Sequence, residues 1–186
     1  MTSPEKDLAG SGRRGALAGR AAARFGAVQA LYQMALGGHG SEAVIAEFLE
    51  HRLQAGGGEP EQPDIGRVDE AFFGALVRSV SGEADSLDDM LSAVLADGWP
   101  VERLELLLKL ILRAGAFELG HWPEVPARVV VSQYVDLAHA FLDDKQTAMA
   151  NGVLDQLARS LRPEEFDAGT DGSTRAGGAS RPPARG

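Results

Sequence analysis

The segment LELLLKLILRAGAFEL, from Leu104 to Leu119, is the strongest constraint on how this chain can fold. Between Leu104 and Leu112, leucine and isoleucine occupy almost every position round a helical wheel. A helix that is apolar on nearly all sides is stable only when other elements surround it. Charged residues interrupt the segment too often for a membrane span, which needs about 20 nearly uncharged residues. The sequence therefore predicts a central, buried helix.

Amphipathic segments flank this helix, and connections rich in glycine and proline separate them. Their apolar residues recur at helical spacing, which predicts an all-α fold of about seven helices. We expect capping side chains or prolines at the helix starts: Ser41, Asp64, Pro100, Pro126 and either Asp143 or Asp144. The predicted helices cover roughly residues 20–36, 41–53, 64–80, 85–96, 100–119, 126–141 and 143–161.

Composition changes at both ends of the chain and sets the expected domain boundaries. Residues 1–15 are rich in glycine, serine and charge, so we expect a flexible basic N-terminal arm. Residues 16–162 form the expected helical domain. Residues 163–186 hold mostly glycine, proline, serine and mixed charge, and cannot bury enough apolar surface to offset the entropy of ordering. We therefore expect a disordered C-terminal tail.

Nothing in the sequence indicates an enzyme. The chain has no cysteine, which excludes disulfides, zinc–thiolate sites and a cysteine nucleophile. Phosphate-binding glycine loops and nucleophile motifs are absent, and the adjacent pairs Asp88–Asp89 and Asp143–Asp144 are explained by helix capping. His139 and Asp143 are four residues apart, but no further metal ligands accompany them. We expect no catalytic activity, no cofactor and no metal site.

The first predicted helix has an unusual charge pattern. The chain carries a net charge of -9, yet no Asp or Glu occurs from Leu8 through Ser41, where the charged side chains are Arg13, Arg14, Arg20 and Arg24. Arg20 and Arg24 are expected at the margin of the helix, near its N-terminus, where the helix dipole disfavours positive charge. No acid within the helix can neutralise them. They also interrupt the apolar core that an export leader would need, so we expect no export.

Two functions are consistent with this helix. In the simpler one, Phe25, Val28 and Leu36 pack in the core and the arginines only increase solubility. In the other, Tyr32 and Gln29 join the arginines in a binding surface. Arginine beside an aromatic ring is the combination that binds single-stranded RNA, because it neutralises phosphates and stacks an unpaired base.

Four segments, in order, resemble the NusB family of bacterial transcription antitermination factors: AARFGAVQALYQM (22–34), LILRAGAFEL (110–119), VPARVVVSQYVDLAHAF (125–141) and NGVLDQLA (151–158). The resemblance implies an all-α fold of two packed helical subdomains in a cytoplasmic protein. It implies binding to boxA-type single-stranded RNA together with NusE, a small-subunit ribosomal protein, in the transcribing RNA polymerase complex. No membrane partner is implied.

The family's RNA-binding residues correspond to Arg20, Arg24 and Tyr32 here, with Gln29 as a weaker candidate. Arg13 and Arg14 are further candidates from the N-terminal arm. Two alternatives stay open: a helical protein-interaction adaptor without RNA binding, and a stand-alone RNA-binding module related to ribosomal RNA methyltransferases.

Overall fold

A computed structural model describes residues 5–53, 68–95 and 100–167, with side chains described for 18–50, 68–95 and 100–167. Within these ranges the chain forms helices and no strand, which confirms the all-α prediction. A π-helical segment, Phe48–Leu53, continues the second helix, and a 3-10 turn, Val101–Arg103, precedes the fifth. The α-helices are α1 (Glu5–Gly37), α2 (Ser41–Glu47), α3 (Glu70–Gly82), α4 (Ala84–Ser92), α5 (Leu106–His121), α6 (Ala127–Phe141), α7 (Asp144–Leu161) and α8 (Glu164–Asp167).

Helix α5 lies at the centre, as its sequence predicts. It packs against α1, α3, α4, α6 and α7, and most of its side chains are buried. Gly115 lets α7 approach closely, because a Cβ there would stand 2.8 Å from the Leu154 Cδ2 atom. Helices α1, α2 and α3 pack on one another, and so do α5, α6 and α7. These two groups correspond to the two predicted subdomains, and a single apolar core runs through both.

Two helix starts agree with their predicted signals. Asp143 caps α7, accepting the backbone N–H of Gln146 at 2.7 Å, while the Gln146 side chain accepts the Asp143 N–H at 3.4 Å. Pro126 immediately precedes α6. Gly38 ends α1 with a φ of 66° and donates its N–H to the Met34 carbonyl at 2.9 Å. This left-handed cap agrees with the predicted end of the first helix.

Three other predicted starts are wrong. Ser41 is the first residue of α2 and its side chain caps nothing, since Gly40 stands at the capping position. Asp64 lies outside the described residues, and Asp69 caps α3 by accepting the Phe72 N–H at 3.0 Å. Pro100 opens only the 3-10 turn. The chain is extended at Leu104 and Glu105 before α5 begins, so the Glu105 side chain caps that helix instead.

Helix α1 begins at Glu5 instead of near residue 20. The backbone from residue 5 to 15, expected as a flexible arm, is therefore helical, and its alanine, leucine and arginine content favours that state despite the glycines. Arg20 and Arg24 accordingly lie in the middle of a helix. The expectation that they oppose the helix dipole is wrong, because that effect is confined to the terminal turns.

Helix α4 ends at Ser92, within its predicted range, and residues 96–99 lie outside the described residues. Asp88 was expected to act as a cap, but it lies in the second turn of α4. There it accepts two hydrogen bonds from the Arg113 guanidinium, at 2.6 and 2.5 Å, and joins α4 to α5.

The C-terminal tail was expected to be disordered from residue 163, but α8 continues the helical structure to Asp167. Residues 168–186 lie outside the described residues.

Candidate functional site

Helix α1 carries most of the predicted site, and the structure divides its side chains between two environments. Ala23, Ala27, Val28 and Leu31 are buried against neighbouring helices, as expected for Val28. Phe25 is partly buried at the edge of the core. Leu36 was expected in the core, but it is 67% exposed. It lies in the last turn of α1, one residue before that helix ends.

Arg24 is a buried residue, not a marginal one. Only 3% of it is exposed. Its Nε atom donates to the Glu118 Oε2 atom at 2.9 Å, and a second guanidinium nitrogen donates to the Oε1 atom. The Tyr134 hydroxyl donates to the same Oε2 atom at 3.0 Å. The expectation of an unneutralised charge on the rim is therefore wrong, since its partner lies on another helix.

This buried cluster joins three helices at one carboxylate. Burial raises the pKa of Tyr134 well above its usual value, and the charge of Glu118 raises it further, so the phenol remains a neutral donor. Burial alone would lower the pKa of Arg24, but its hydrogen bonds and charge interaction with Glu118 raise the pKa overall. Arg24 thus stays charged and holds α1 against α5 and α6. It presents no free charge to an RNA phosphate.

Arg20 lies on the side of α1 that faces α3. Its Nε atom is 3.7 Å from the Asp69 Oδ2 atom, and its guanidinium lies 5.3 Å from the centre of the Phe72 ring. The side chain remains 38% exposed. Exposed ion pairs of this kind contribute little free energy, so Arg20 is able to exchange Asp69 for another anion.

Tyr32 and Gln29 lie on a different face. Along α1, Phe25, Gln29, Tyr32 and Leu36 follow one another at helical spacing, and we call these four residues the α1 strip. Tyr32 is 36% exposed and Gln29 is half-buried. Tyr32 follows Arg20 by twelve residues, which places the two about a third of a turn apart round the helix axis. The structure therefore does not join Arg20 and Tyr32 in one compact site.

Arg13 and Arg14 belong to α1, but their side chains lie outside those described. The helix register nevertheless relates their backbone positions to the α1 strip. Position 14 precedes Tyr32 by eighteen residues, which is about five helical turns. Position 14 is thus on the same helix face as Tyr32, whereas position 13 is on the face that carries Arg24.

Sequence reasoning missed one neighbour of the α1 strip. Phe141, the last residue of α6, has its ring centre 5.1 Å from that of Phe25, at an interplanar angle of 30°. It remains 38% exposed. Among the described side chains, the exposed aromatic ones are Tyr32 and Phe141. Phe141 lies at the end of an amphipathic helix, and nothing in the sequence indicated its contact with Phe25. That contact depends on how α6 packs against α1.

The described part of the chain has neither a membrane-spanning helix nor a cluster of metal ligands. No described helix combines the length and apolar character needed to cross a membrane. Within the same residues, no group of three histidine, aspartate or glutamate side chains is arranged to hold a metal ion.

Comparison with known proteins gives consistent matches. The sequence profile of the NusB family matches residues 21–159. A relative from Rhodopseudomonas palustris (strain BisB18), named transcription antitermination protein NusB, is 47% identical over 150 residues, covering 81% of this chain and 87% of its own. A relative of the same name from Nitrobacter hamburgensis is 48% identical over 147 residues, covering 79% and 90%.

A solved structure agrees on the fold. T. maritima NusB superposes with a TM-score of 0.63 and covers 80% of this chain and 96% of that one. The two sequences are 20% identical, so this likeness concerns the arrangement of the helices.

Proposed function

Since this chain belongs to the NusB family, whose curated relatives are named transcription antitermination proteins, we propose that it binds boxA-type single-stranded RNA together with NusE. In that complex it joins transcribing RNA polymerase in the cytoplasm and promotes transcription of ribosomal RNA. It acts by binding and not by catalysis.

The observation that carries this proposal is the exposed part of α1. Tyr32 is an aromatic residue that is 36% exposed, and Gln29 lies one turn before it. Unpaired bases stack on aromatic rings, and their edges form hydrogen bonds with amide groups. No carboxylate belongs to this part of α1, because Asp and Glu are absent from Leu8 through Ser41. A phosphate backbone that follows α1 between residues 8 and 37 therefore meets no carboxylate of this helix.

The arginines have separate roles in this proposal. Arg20, Arg13 and Arg14 supply positive charge to the phosphates. Arg24 acts indirectly, because its bond to Glu118 fixes the rotation and position of α1, and with them the direction in which Tyr32 points.

An adaptor without RNA binding is the second candidate. The neutralisation of Arg24, the pairing of Arg20 with Asp69 and the net charge of -9 favour it. Such a protein would bind NusE or polymerase through its helical surface but would not retain RNA at low salt.

An electrophoretic shift assay with a boxA-like RNA, with and without NusE, separates the two. We expect a specific shift that NusE strengthens, while a scrambled RNA of equal length binds more weakly. Tyr32→Ala should weaken binding about tenfold, because stacking contributes about 1–3 kcal/mol per base, whereas Tyr32→Phe should retain most of the affinity. Capture of NusE without any RNA shift would instead support the adaptor.

A further inference from the structure

Gln133 lies where α6 meets α1, next to the buried Arg24. Its Oε1 atom accepts a hydrogen bond from a terminal guanidinium nitrogen of Arg24 at 3.5 Å. Because a guanidinium has donors only, this contact fixes which way the amide is turned, with its oxygen towards Arg24. The Nε2 group therefore points away from Arg24, and within the described part of the chain it has no hydrogen-bond acceptor.

The surface beside Gln133 is open to solvent. Gln133 is half-buried, and Val129, one turn earlier on the same face of α6, is 40% exposed. Water can therefore reach the Nε2 group. A ligand that displaces this water must offer an acceptor in return, because a donor left without a partner costs free energy.

The charges next to Gln133 favour a neutral ligand group over a phosphate. Arg24 is paired with Glu118, and Arg20, whose guanidinium lies over the same Phe72 ring as that of Arg24, is paired with Asp69. Each of these cations thus has a carboxylate partner, which leaves this part of the surface nearly neutral. The edges of RNA bases are neutral and carry strong acceptors, such as the O4 atom of uracil and the O6 and N7 atoms of guanine.

The register of α1 leads an RNA strand to this place. Position 13 is on the helix face that carries Arg24 and precedes it by eleven residues, a rise of about 16 Å. Gln133 meets that face at Arg24. A strand whose phosphate is bound at Arg13 can therefore present a base further along to the Gln133 amide.

We propose that Gln133 selects one base of the bound RNA by donating an amide hydrogen bond to its edge. This inference rests on the proposed function, and it adds a base-selecting residue from α6 to a site otherwise made by α1. Because the amide oxygen is turned towards Arg24, Gln133 offers only its donors to the base. It accordingly prefers uracil or guanine, which present an oxygen, to cytosine or adenine, which present an amino group at the same place.

The test uses the full chain with NusE and a set of boxA-like RNAs, in which each uracil is replaced in turn by cytosine and each guanine by adenine. Every replacement exchanges a base oxygen for an amino group. Fluorescence anisotropy measures the affinity for each RNA. At the position that Gln133 contacts, the replacement should weaken binding by the wild-type chain about tenfold.

Gln133→Glu identifies that position by reversing the chemistry. The variant side chain has nearly the same shape, but once one carboxylate oxygen faces Arg24 the other can only accept. At one position, and only there, the preference should invert: the original RNA binds about tenfold more weakly than to the wild type, and the RNA with the amino group binds better than the original. Gln133→Met removes the amide and should abolish the preference without inverting it.

Gln156→Glu is the matched control. Gln156 is exposed on α7, and the substitution adds the same charge to the chain. This variant should keep the wild-type preference at every position of the RNA.

Thermal unfolding separates a base contact from a structural role. Gln133→Glu should unfold at the same temperature as the wild type or above it, because a carboxylate is a stronger acceptor for Arg24. Unchanged base preferences in this variant would overturn the inference and leave the proposed function intact. Equal weakening of all the RNAs would also overturn it: a match with Gln156→Glu would indicate overall charge, and a fall in Tm would indicate that Gln133 only holds Arg24. Absence of any RNA shift by the wild-type chain would overturn both proposals.

Discussion

Arg24 carries a positive charge into the interior, where it would be unstable without Glu118. The Glu118 carboxylate accepts hydrogen bonds from Arg24 on α1 and Tyr134 on α6, while it belongs to α5 itself. Desolvation offsets much of the attraction within a buried ion pair, so its net contribution to stability can be small. Removal of one member, however, leaves the other charged and unpaired in the interior.

We predict that Arg24→Ala lowers the free energy of unfolding by about 3–5 kcal/mol, because it isolates the Glu118 carboxylate. The triple variant Arg24→Met, Glu118→Leu and Tyr134→Phe should recover most of this loss, since it removes both charges and leaves no buried hydroxyl without its acceptor. Urea unfolding followed by circular dichroism measures both.

Arg78→Ala is the control for this prediction. Arg78 pairs with Glu42 on the surface, where the two side chains are 51% and 71% exposed. Loss of Arg78 should therefore barely change the midpoint of urea unfolding. If Arg24→Ala were equally mild, the pair would be hydrated in solution and the buried arrangement would be refuted.

The expected position of Arg24 at the margin of the helix was wrong for a physical reason. Helical spacing shows charge pairs within one helix, and α1 has none for Arg24. The compensating carboxylate is 94 residues away and becomes a neighbour only when α5 packs against α1. Burial of Val28 was predictable, because it depends on the local apolar pattern alone.

Helix ends in this fold depend on contacts that local patterns did not reveal. Arg162, which is 5% exposed, donates hydrogen bonds to the carbonyls that close α5 and lead towards α6. The acceptors are the backbone oxygens of Leu119 (2.8 Å), Val125 (2.6 Å), Glu118 (3.0 Å) and Trp122 (3.0 Å). The Glu118 and Trp122 oxygens also accept backbone N–H groups, at 3.1 and 3.2 Å, so the guanidinium matters most for the Leu119 and Val125 carbonyls. Glu165 accepts the Ala127 N–H at 2.7 Å and thereby caps the start of α6.

We predict that Arg162→Ala lowers the free energy of unfolding by about 3 kcal/mol, because it leaves buried carbonyls unsatisfied. For a chain of this size, that loss corresponds to a fall in Tm of about 6–12 °C. Arg162→Lys should restore only part of the stability, since an ammonium lacks the planar fork of donors. Differential scanning calorimetry is the measurement, with Arg159→Ala as the exposed control, and an unchanged Tm in Arg162→Ala would contradict the assignment.

The position of Arg162 also explains why the tail boundary was misplaced. Composition after residue 162 is that of a disordered segment, and composition averages over many residues. Arg162 has five acceptors, one of them the Glu165 Oε1 atom of α8 at 3.2 Å, and these contacts outweigh that average locally, so α8 forms just after it. The start of α3 was misplaced for a related reason. Asp64 and Asp69 both precede the apolar stripe of α3, and local capping signals did not show which of them caps the helix.

The charge of the whole molecule is distributed in a way that favours a local anion site. The net charge of -9 includes no acid from Leu8 through Ser41, so the carboxylates lie elsewhere in the sequence. Because Arg24 is neutralised by Glu118 and Arg20 is paired with Asp69, the remaining positive charge of this segment is that of Arg13 and Arg14. The all-α architecture was predictable from sequence, whereas the separation of Arg20, Arg24 and Tyr32 into three environments required the packed helices.

We predict that changing both Arg13 and Arg14 to Gln weakens binding of boxA-like RNA and flattens its salt dependence. Each phosphate contact with single-stranded RNA contributes about 0.7 to the slope of log affinity against log salt concentration. Loss of both contacts should therefore reduce the magnitude of the slope by up to about 1.4. Fluorescence anisotropy between 50 and 300 mM salt, roughly the range in which counterion release is evident, measures it at saturating NusE.

The matched control for this prediction changes Arg103 and Arg128 to Gln. Both are exposed and lie outside α1, and their loss alters the net charge by the same amount. If binding depends on local contacts, only the Arg13 and Arg14 variant changes the slope, and the control behaves as the wild type. Equal effects of the two double variants would mean that RNA responds to the overall charge, and that the acid-free face of α1 is not where the phosphates bind.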